Sequence, residues 1–455
     1  MALELISTNP VNNEIIKRYP VCTDDQLIDY ANQSKSQFKT WKRSSIQERS
    51  TLLMNLAEVL ENNLEDAALI TQEMGKPISA SKGEINKCAS LCRYYAENLE
   101  QFLKEDILFE EDKTSSMVYT PLGPLLGIMP WNFPYWQVIR FAVPAIAAGN
   151  TVLIKHASNV SGSALRLEHY FLEAGFPKFV YQALIAKSNQ MESLIRNPVI
   201  QGVSLTGSFL AGSSVAKISG EEVKPVLLEL GGNDAYLILE DADLDLAVKE
   251  GLDSRMKNAG QSCIGAKRFI VTEKVYDAFK TKLINAMQSI ELGDPMDDNT
   301  TFGPLVSCDE RDRLHQKVMQ SIQEGASLVL GGKIPAKTGA YYPPTLLEHV
   351  DRSNIAFKEE LFGPVCTLVQ AKDEADAIDL ANDSELGLGA AVFTKDLEKG
   401  KRIIADSLDA GAVFLNEFVK SDPRIPFGGI KKSGFGREMG EEGLKAFVNK
   451  KYIRY

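Results

Sequence analysis

From about residue 116 onward the chain alternates short, continuously apolar runs with longer amphipathic segments, and this alternation limits the folds open to it. Runs at 125–129, 151–155, 180–185, 202–205, 226–230 and 236–239 read as strands, with helices between them at 161–174 and 210–218. A strand that is apolar at every position is covered on both faces, so the pattern predicts a parallel sheet with helices on either side. A second series follows Cys263, with strands at 269–272, 328–330, 365–369, 391–393 and 413–415. The fold class is therefore α/β, with two doubly wound parallel-sheet units. A chain of 455 residues has room for both and for one smaller part.

The first hundred residues read as helices, with Leu27, Ala31, Phe38 and Trp41 at helical spacing, then Leu52, Leu53, Leu56, Val59 and Leu60. Residues 1–102 and 122–230 are assigned to one unit and 231–445 to the other. Two segments fit neither. Residues 103–121 are rich in charge and end strand-like at Met117-Val118-Tyr119, and the tail 446–455 also alternates like a strand. Edge strands are usually paired or protected, so these two are candidates for a small sheet that joins subunits.

Fifty Lys and Arg against 61 Asp and Glu give a net charge of −11, without the basic footprint expected for nucleic acid or an anionic membrane. No apolar run approaches the ~18 residues of a membrane span. The N-terminus shows no basic region followed by an apolar stretch, which points to a cytoplasmic protein. The cysteines (Cys22, Cys88, Cys92, Cys263, Cys308 and Cys366) are widely spaced and form no disulfide framework. Four histidines outside any metal-binding frame argue against a metal site. Cys88 and Cys92, one helical turn apart, read as core residues alongside Ile85, Leu91, Tyr95 and Leu99.

Several short stretches could carry chemistry. Gly260-Gln261-Ser262-Cys263 offers a thiol on a turn of small residues. A thiolate is a strong nucleophile, yet a free cysteine needs activation, and a buried inert thiol fits the same tetrapeptide. Glu229 ends an apolar strand before Gly231 and Gly232, where burial would make it a general base; a surface carboxylate fits as well. Pro130-Trp131-Asn132-Phe133-Pro134 follows a strand and is either a rigid aromatic turn or a donor of an amide hydrogen bond to an oxyanion. Thr206-Gly207-Ser208 opens a helix directly after a strand, suiting a phosphate or a plain helix cap, and lacks the GxGxxG fingerprint. Glu359-Glu360-Leu361-Phe362-Gly363-Pro364 suggests an ordered loop.

Together and in this order, these motifs and Pro426-Phe427-Gly428-Gly429 resemble the aldehyde dehydrogenase superfamily over nearly the whole chain. Trp131 to Arg140, the stretch Lys155-His156-Ala157-Ser158-Asn159-Val160 and Lys420-Ser421-Asp422-Pro423-Arg424 look most like bacterial succinate-semialdehyde dehydrogenases. The resemblance implies that Cys263 attacks an aldehyde, Asn132 and the Cys263 N–H hold the oxyanion, and Glu229 activates water to release the acid. It implies cofactor contacts from Trp131, Lys155, Ser158, Gly207, Ser208, Glu360 and Phe362. NAD-preferring relatives commonly carry Glu three residues after the lysine; Ser158 stands there, so the resemblance points to NADP, with NAD also used. Arg140, Lys257 and Ser421 occupy positions implied to bind the carboxylate of a small semialdehyde, with lysine at 257 where relatives place arginine. Glutarate semialdehyde and simple aliphatic aldehydes are alternative substrates. Gly265 stands where some relatives carry a second cysteine, so no disulfide switch is expected. A homodimer or homotetramer is implied. A cysteine hydrolase and a catalytically silent protein on the same fold are the alternatives of a different class.

Overall fold

The computed structural model describes residues 3–455. Its first sheet has six strands in the order Gly434–Phe435, Val226–Glu229, Gly202–Thr206, Pro124–Ile128, Thr151–Lys155, Tyr181–Ala183. All neighbours are parallel except the first pair. The seven-stranded second sheet runs Ser327–Leu330, Thr345–Glu348, Val365–Ala371, Arg268–Thr272, Ala235–Ile238, Gly389–Phe393, Ala412–Leu415, and only its first pair is antiparallel. Every residue of Thr151–Lys155, Gly202–Thr206, Arg268–Thr272 and Gly389–Phe393 is buried, the signature of strands sandwiched between helices.

The strands read from the sequence lie within a residue or two of the observed ones, and Ala235–Ile238 joins the second sheet between Arg268–Thr272 and Gly389–Phe393. Thr345–Glu348 is an additional strand; four residues behind a Pro-Pro pair leave too short a pattern to read. The helical reading of the first hundred residues needs one correction. Glu4–Thr8 and Ile15–Pro20 form an antiparallel hairpin anchored by the buried side chains of Leu5, Ser7 and Tyr19. Helices then follow at Asp24–Trp41, Ile46–Asn62, Ala67–Met74 and Ile78–Phe102. Thr23 and Gln26 form a capping box at the start of the first of these helices.

The expected boundary at 445 also differs from the packing. Gly434–Phe435 pairs with Val226–Glu229, and Phe427, Met439, Leu444 and Phe447 bury their side chains in the core of the first unit. The chain thus returns from the second unit to complete the first, carrying residues 427–447 across the cleft between the sheets.

The two leftover segments meet in a three-stranded antiparallel sheet. Val448–Arg454 pairs along Thr114–Pro121, which pairs in turn with Asp106–Glu110. All five residues of that last strand are exposed, including Ile107, Leu108 and Phe109. No helix among the described residues is long and apolar enough to cross a membrane.

Candidate active site

In the first sheet the chain runs outward from Pro124–Ile128 through Thr151–Lys155 to Tyr181–Ala183, then crosses back to Gly202–Thr206 on the other side. Helices diverge at such a reversal and leave a crevice at the carboxyl ends of the strands, where open α/β sheets bind ligands. Pro130-Trp131-Asn132 follows one of the two flanking strands and Thr206-Gly207-Ser208 follows the other. Glu229 ends the next strand out.

Opposite this crevice the second unit presents the loop bearing Cys263. Three consecutive residues before it are left-handed: Asn258 (φ 54°), Ala259 (φ 51°) and Gly260 (φ 76°). A left-handed alanine costs roughly 1–2 kcal/mol, so neighbouring structure must hold the loop in place. A Cβ on Gly260 would overlap the Gly363 carbonyl, which makes glycine obligatory there. The Arg255 guanidinium, fully buried, donates to the carbonyls of Gly260, Leu361 (2.8 Å) and Gly363. Lys267 donates to the carbonyls of Ser262 (2.9 Å) and Cys263. Strain of this kind, over-determined by surrounding contacts, is characteristic of a site that must aim one side chain.

Two cavities meet at that side chain. One, of about 280 Å³, is walled by Phe133, Trp136, Arg140, Lys257, Ser421 and Phe427, among others, together with Cys263. The other, of about 670 Å³, is walled by Trp131, Asn132, Gly207, Ser208, Glu229, Glu360 and Phe362, again with Cys263. The thiol and the neighbouring Gln137 are the residues common to both. Burial pushes the thiol up to about 11, a rise moderated by the cations of Arg140 and Lys267 and reinforced by Glu360 and Asp234. In the protein alone the sulfur therefore holds its proton at neutral pH.

Asn132 is buried, donates through Nδ2 to the Gln261 carbonyl at 3.1 Å, and leaves Oδ1 without a partner. The second Nδ2 hydrogen has no partner, in the wall of the cavity that also contains the thiol. Glu229 is 2% exposed and neither carboxyl oxygen has a partner. Burial, then the nearby Glu438 carboxylate, raises its pKa well above the usual carboxylate range, while Arg140 and Arg437 oppose the rise. An unpartnered buried carboxyl in a cavity wall is suited to taking a proton from water.

The larger cavity fits a dinucleotide by the donor groups it presents. Ser208 caps the thirteen-residue helix Phe209–Glu221, whose first residues line the cavity, and a helix N-terminus there is suited to pyrophosphate. Trp131 and Phe362 meet edge to face with ring centroids 5.7 Å apart. Glu360 is held by Lys267 at 2.9 Å. Lys155 and Ser158 are not in that wall. They lie at and just beyond the end of the next strand, Thr151–Lys155, where Lys155 Nζ donates to Ser188 Oγ at 3.2 Å and Ser158 opens a short turn.

Of the residues expected around the substrate carboxylate, Arg140, Lys257 and Ser421 all line the smaller cavity. Arg140 is paired there with Glu438 and lies over the Phe427 ring at 4.9 Å, while its Nη2 is left without a hydrogen-bond partner. Three functional-site neighbours escape sequence reasoning: Glu438, Lys267 and Lys87. Each is a single charged residue with no local pattern, brought in by folding from outside the recognised motifs.

The Aldehyde dehydrogenase family model matches residues 3–453. The chain is 42% identical over 449 residues, 98% of its length and 97% of the relative's, to the succinate semialdehyde dehydrogenase [NAD(P)+] Sad of Escherichia coli K12. It is 41% identical over 452 residues, 99% of both chains, to a probable succinate-semialdehyde dehydrogenase [NADP(+)] of Synechocystis. Among solved structures, succinic semialdehyde dehydrogenase from Streptococcus pyogenes in complex with NADP+ superimposes with a TM-score of 0.96 at 35% identity, covering 99% of both chains. With a thiol between two cavities, a buried carboxyl in the wall of one of them and a match along the whole length, this chain belongs to the aldehyde dehydrogenase family.

Proposed function

We propose that this protein oxidises succinate semialdehyde, or a similar small semialdehyde, to the carboxylic acid with reduction of NADP, and that NAD also serves. The reading is carried by one observation: the Cys263 sulfur stands where the two cavities meet, so an aldehyde in one faces a cofactor in the other. The names of the relatives support the substrate and the cofactor.

Cys263 gives up its proton to water in the cavity and adds to the aldehyde carbon as thiolate, giving a thiohemiacetal whose oxyanion accepts from the spare Asn132 Nδ2 hydrogen and the Cys263 N–H. The chemistry a bound NADP supplies is acceptance of the hydrogen and two electrons lost as that carbon becomes a thioester. Lys155 and Ser158 would hold its adenosine ribose and 2′-phosphate, Gly207, Ser208 and Trp131 its pyrophosphate, and Glu360 and Phe362 its nicotinamide end. Glu229 takes a proton from water, the water attacks the thioester, and Cys263 departs as thiolate with release of the acid. A cysteine hydrolase would have no use for the larger cavity. The exposed strand Asp106–Glu110, apolar at Ile107, Leu108 and Phe109, supports a homodimer or homotetramer closed across the three-stranded sheet.

The test is a panel of kcat/KM values for succinate semialdehyde, glutarate semialdehyde and butyraldehyde against both cofactors, with Cys263→Ala as the blank. Preference for a semialdehyde with NADP, abolished in the blank, is the expected result. Equal rates for all three aldehydes, or turnover surviving in Cys263→Ala, would overturn the reading.

A further inference from the structure

Gln137 and Cys263 line both cavities, yet the chemistry assigned to the thiol makes no use of Gln137. Its side chain is 2% exposed and its Oε1 has no hydrogen-bond partner. A buried amide oxygen left unpaired is unfavourable, and native interiors rarely keep one without a ligand or a water to satisfy it. Other residues in the wall of the larger cavity also carry unpartnered acceptors: Asn132 through Oδ1, Thr206 through Oγ1 and Glu229 through both oxygens. None of these extends into the wall of the smaller cavity, so among the described residues only Gln137 shares the junction with the thiol.

The fold holds this amide in place. Gln137 is the second residue of the helix Trp136–Ala147, which is buried at every position, and its N–H donates to the Phe133 carbonyl at 3.0 Å. The start of that helix is anchored from a neighbouring one. Glu84, on the helix Ile78–Phe102, accepts through Oε1 from the N–H groups of Tyr135 and Trp136, both at 2.9 Å. The Lys76 ammonium is paired with the same carboxylate and lies 3.9 Å from the centroid of the Phe133 ring. Asn132 and Gln137 thus flank one clamped turn. A side chain carried on a clamped helix start is aimed more closely than one on a free loop.

We propose that Gln137 orients the water that hydrolyses the thioester, with its Oε1 accepting the water hydrogen that Glu229 does not take. The proposal rests on the dehydrogenase reading and adds a residue to its second half. A water attacks when a lone pair points at the carbonyl carbon, which is favoured when both of its hydrogens are engaged elsewhere. Glu229 accepts one of them. The other needs an acceptor beside the thiol that is not itself a base, and the amide oxygen of Gln137 is such a group. As the water oxygen bonds to the thioester carbon, one proton passes to Glu229. The second hydrogen stays on that oxygen, donated to Gln137, until the carbon–sulfur bond breaks and its electron pair leaves with the Cys263 thiolate. Aldehyde addition and hydride loss need no water aimed at the carbon, so loss of the amide should spare them.

The experiment uses Gln137→Met, which keeps the length of the side chain without its amide, and Gln137→Asn, which withdraws the oxygen by one methylene. Rapid mixing with NADP and either succinate semialdehyde or butyraldehyde reads the first turnover and the steady rate of cofactor reduction. The intact mass of acid-quenched protein reads the acyl-enzyme. In Gln137→Met the first turnover should stay within about threefold of wild type while the steady rate falls about 10- to 30-fold with both aldehydes, and an acyl adduct on Cys263 should accumulate. Gln137→Asn should show the same pattern to a smaller degree. A first turnover slowed as much as the steady rate, or a steady rate that does not change, would overturn the proposal. So would a loss confined to the semialdehyde, which would make Gln137 a substrate-binding residue. A wild type that reduces no cofactor with either aldehyde removes the function itself, whereas an active wild type leaves the variants to judge Gln137 alone. Should Gln137→Met not fold, Gln137→Asn decides: no build-up of acyl-enzyme beyond that of wild type overturns the proposal.

Discussion

The guanidinium of Arg140 is paired with the carboxylate of Glu438 in the interior, each side chain 2% exposed. The pair joins the helix Trp136–Ala147 to the segment that returns from the second unit, and it lies next to Glu229. Removing one member leaves a buried charge uncompensated, which costs about 3–5 kcal/mol. Arg140→Leu should therefore lower unfolding free energy by about that amount. The double variant Arg140→Leu/Glu438→Leu should recover a large part of it. Chemical denaturation of the three proteins provides the check, and a double variant no better than the single one would show that the pair acts otherwise.

Glu438 also adds to the proton affinity of Glu229, the proposed base. Burial raises the pKa of Glu229, and the charge of Glu438 raises it further. The base form exists above that pKa, so thioester hydrolysis should fail as pH drops through it. Glu438→Gln removes the negative neighbour while keeping the shape, so the acid limb of hydrolysis should move to lower pH. Acylating Cys263 with p-nitrophenyl acetate and following acetate release against pH tests this. A limb that stays put, or moves to higher pH, contradicts the coupling.

The thiol makes a separate prediction. Burial holds Cys263 up to about 11 in the protein alone. Alkylation requires thiolate, so iodoacetamide should label Cys263 slowly at pH 7 and about tenfold faster per pH unit, with no plateau below pH 10. Peptide mapping separates it from the partly exposed Cys22 and Cys308. A plateau near pH 7 would mean that the protein by itself stabilises the thiolate.

Much of this site could be read from the sequence because its parts are local. A thiol on a glycine turn, a carboxyl at a strand end and a serine at a strand-to-helix turn are each local patterns, so the roles proposed for Cys263, Glu229 and Ser208 each carry a short signature. The parallel strands were legible for a related reason, since full burial leaves unbroken apolar runs. Lys267 and Glu438 carry no such signature. Their meaning comes from what they pair with, and Arg140 meets Glu438 across almost 300 positions. The return of residues 427–447 to the first unit was hidden likewise, because a two-residue strand has no period.

The strained loop gives a prediction about geometry alone. Gly260 has φ 76° and no room for a Cβ against the Gly363 carbonyl. Gly260→Ala must shift either the Cys263 loop or the loop that carries Glu360 and Phe362, and misplacement by about 1 Å can cost about 100-fold in rate. Activity should fall at least tenfold while the thermal midpoint moves by only a few degrees. Unchanged turnover would show that the left-handed run does not aim the thiol.

In the proposed function, cofactor choice turns on a position that lies outside the larger cavity. Ser158 is exposed at the start of the turn Ser158–Val160, three residues past Lys155, and burial lowers the pKa of the Lys155 ammonium without any acid to oppose it. A serine and a lysine without a salt-bridge partner accept a 2′-phosphate, whereas a carboxylate in place of the serine would repel it and accept the hydroxyls of an unmodified ribose. Ser158→Glu should lower kcat/KM with NADP by at least tenfold and raise it with NAD, because the introduced carboxylate would also pair with Lys155. Steady-state rates with each cofactor at saturating aldehyde measure both effects. If the ratio does not move, the 2′-phosphate is bound elsewhere along the cleft, and the preference for NADP must rest on groups other than this turn.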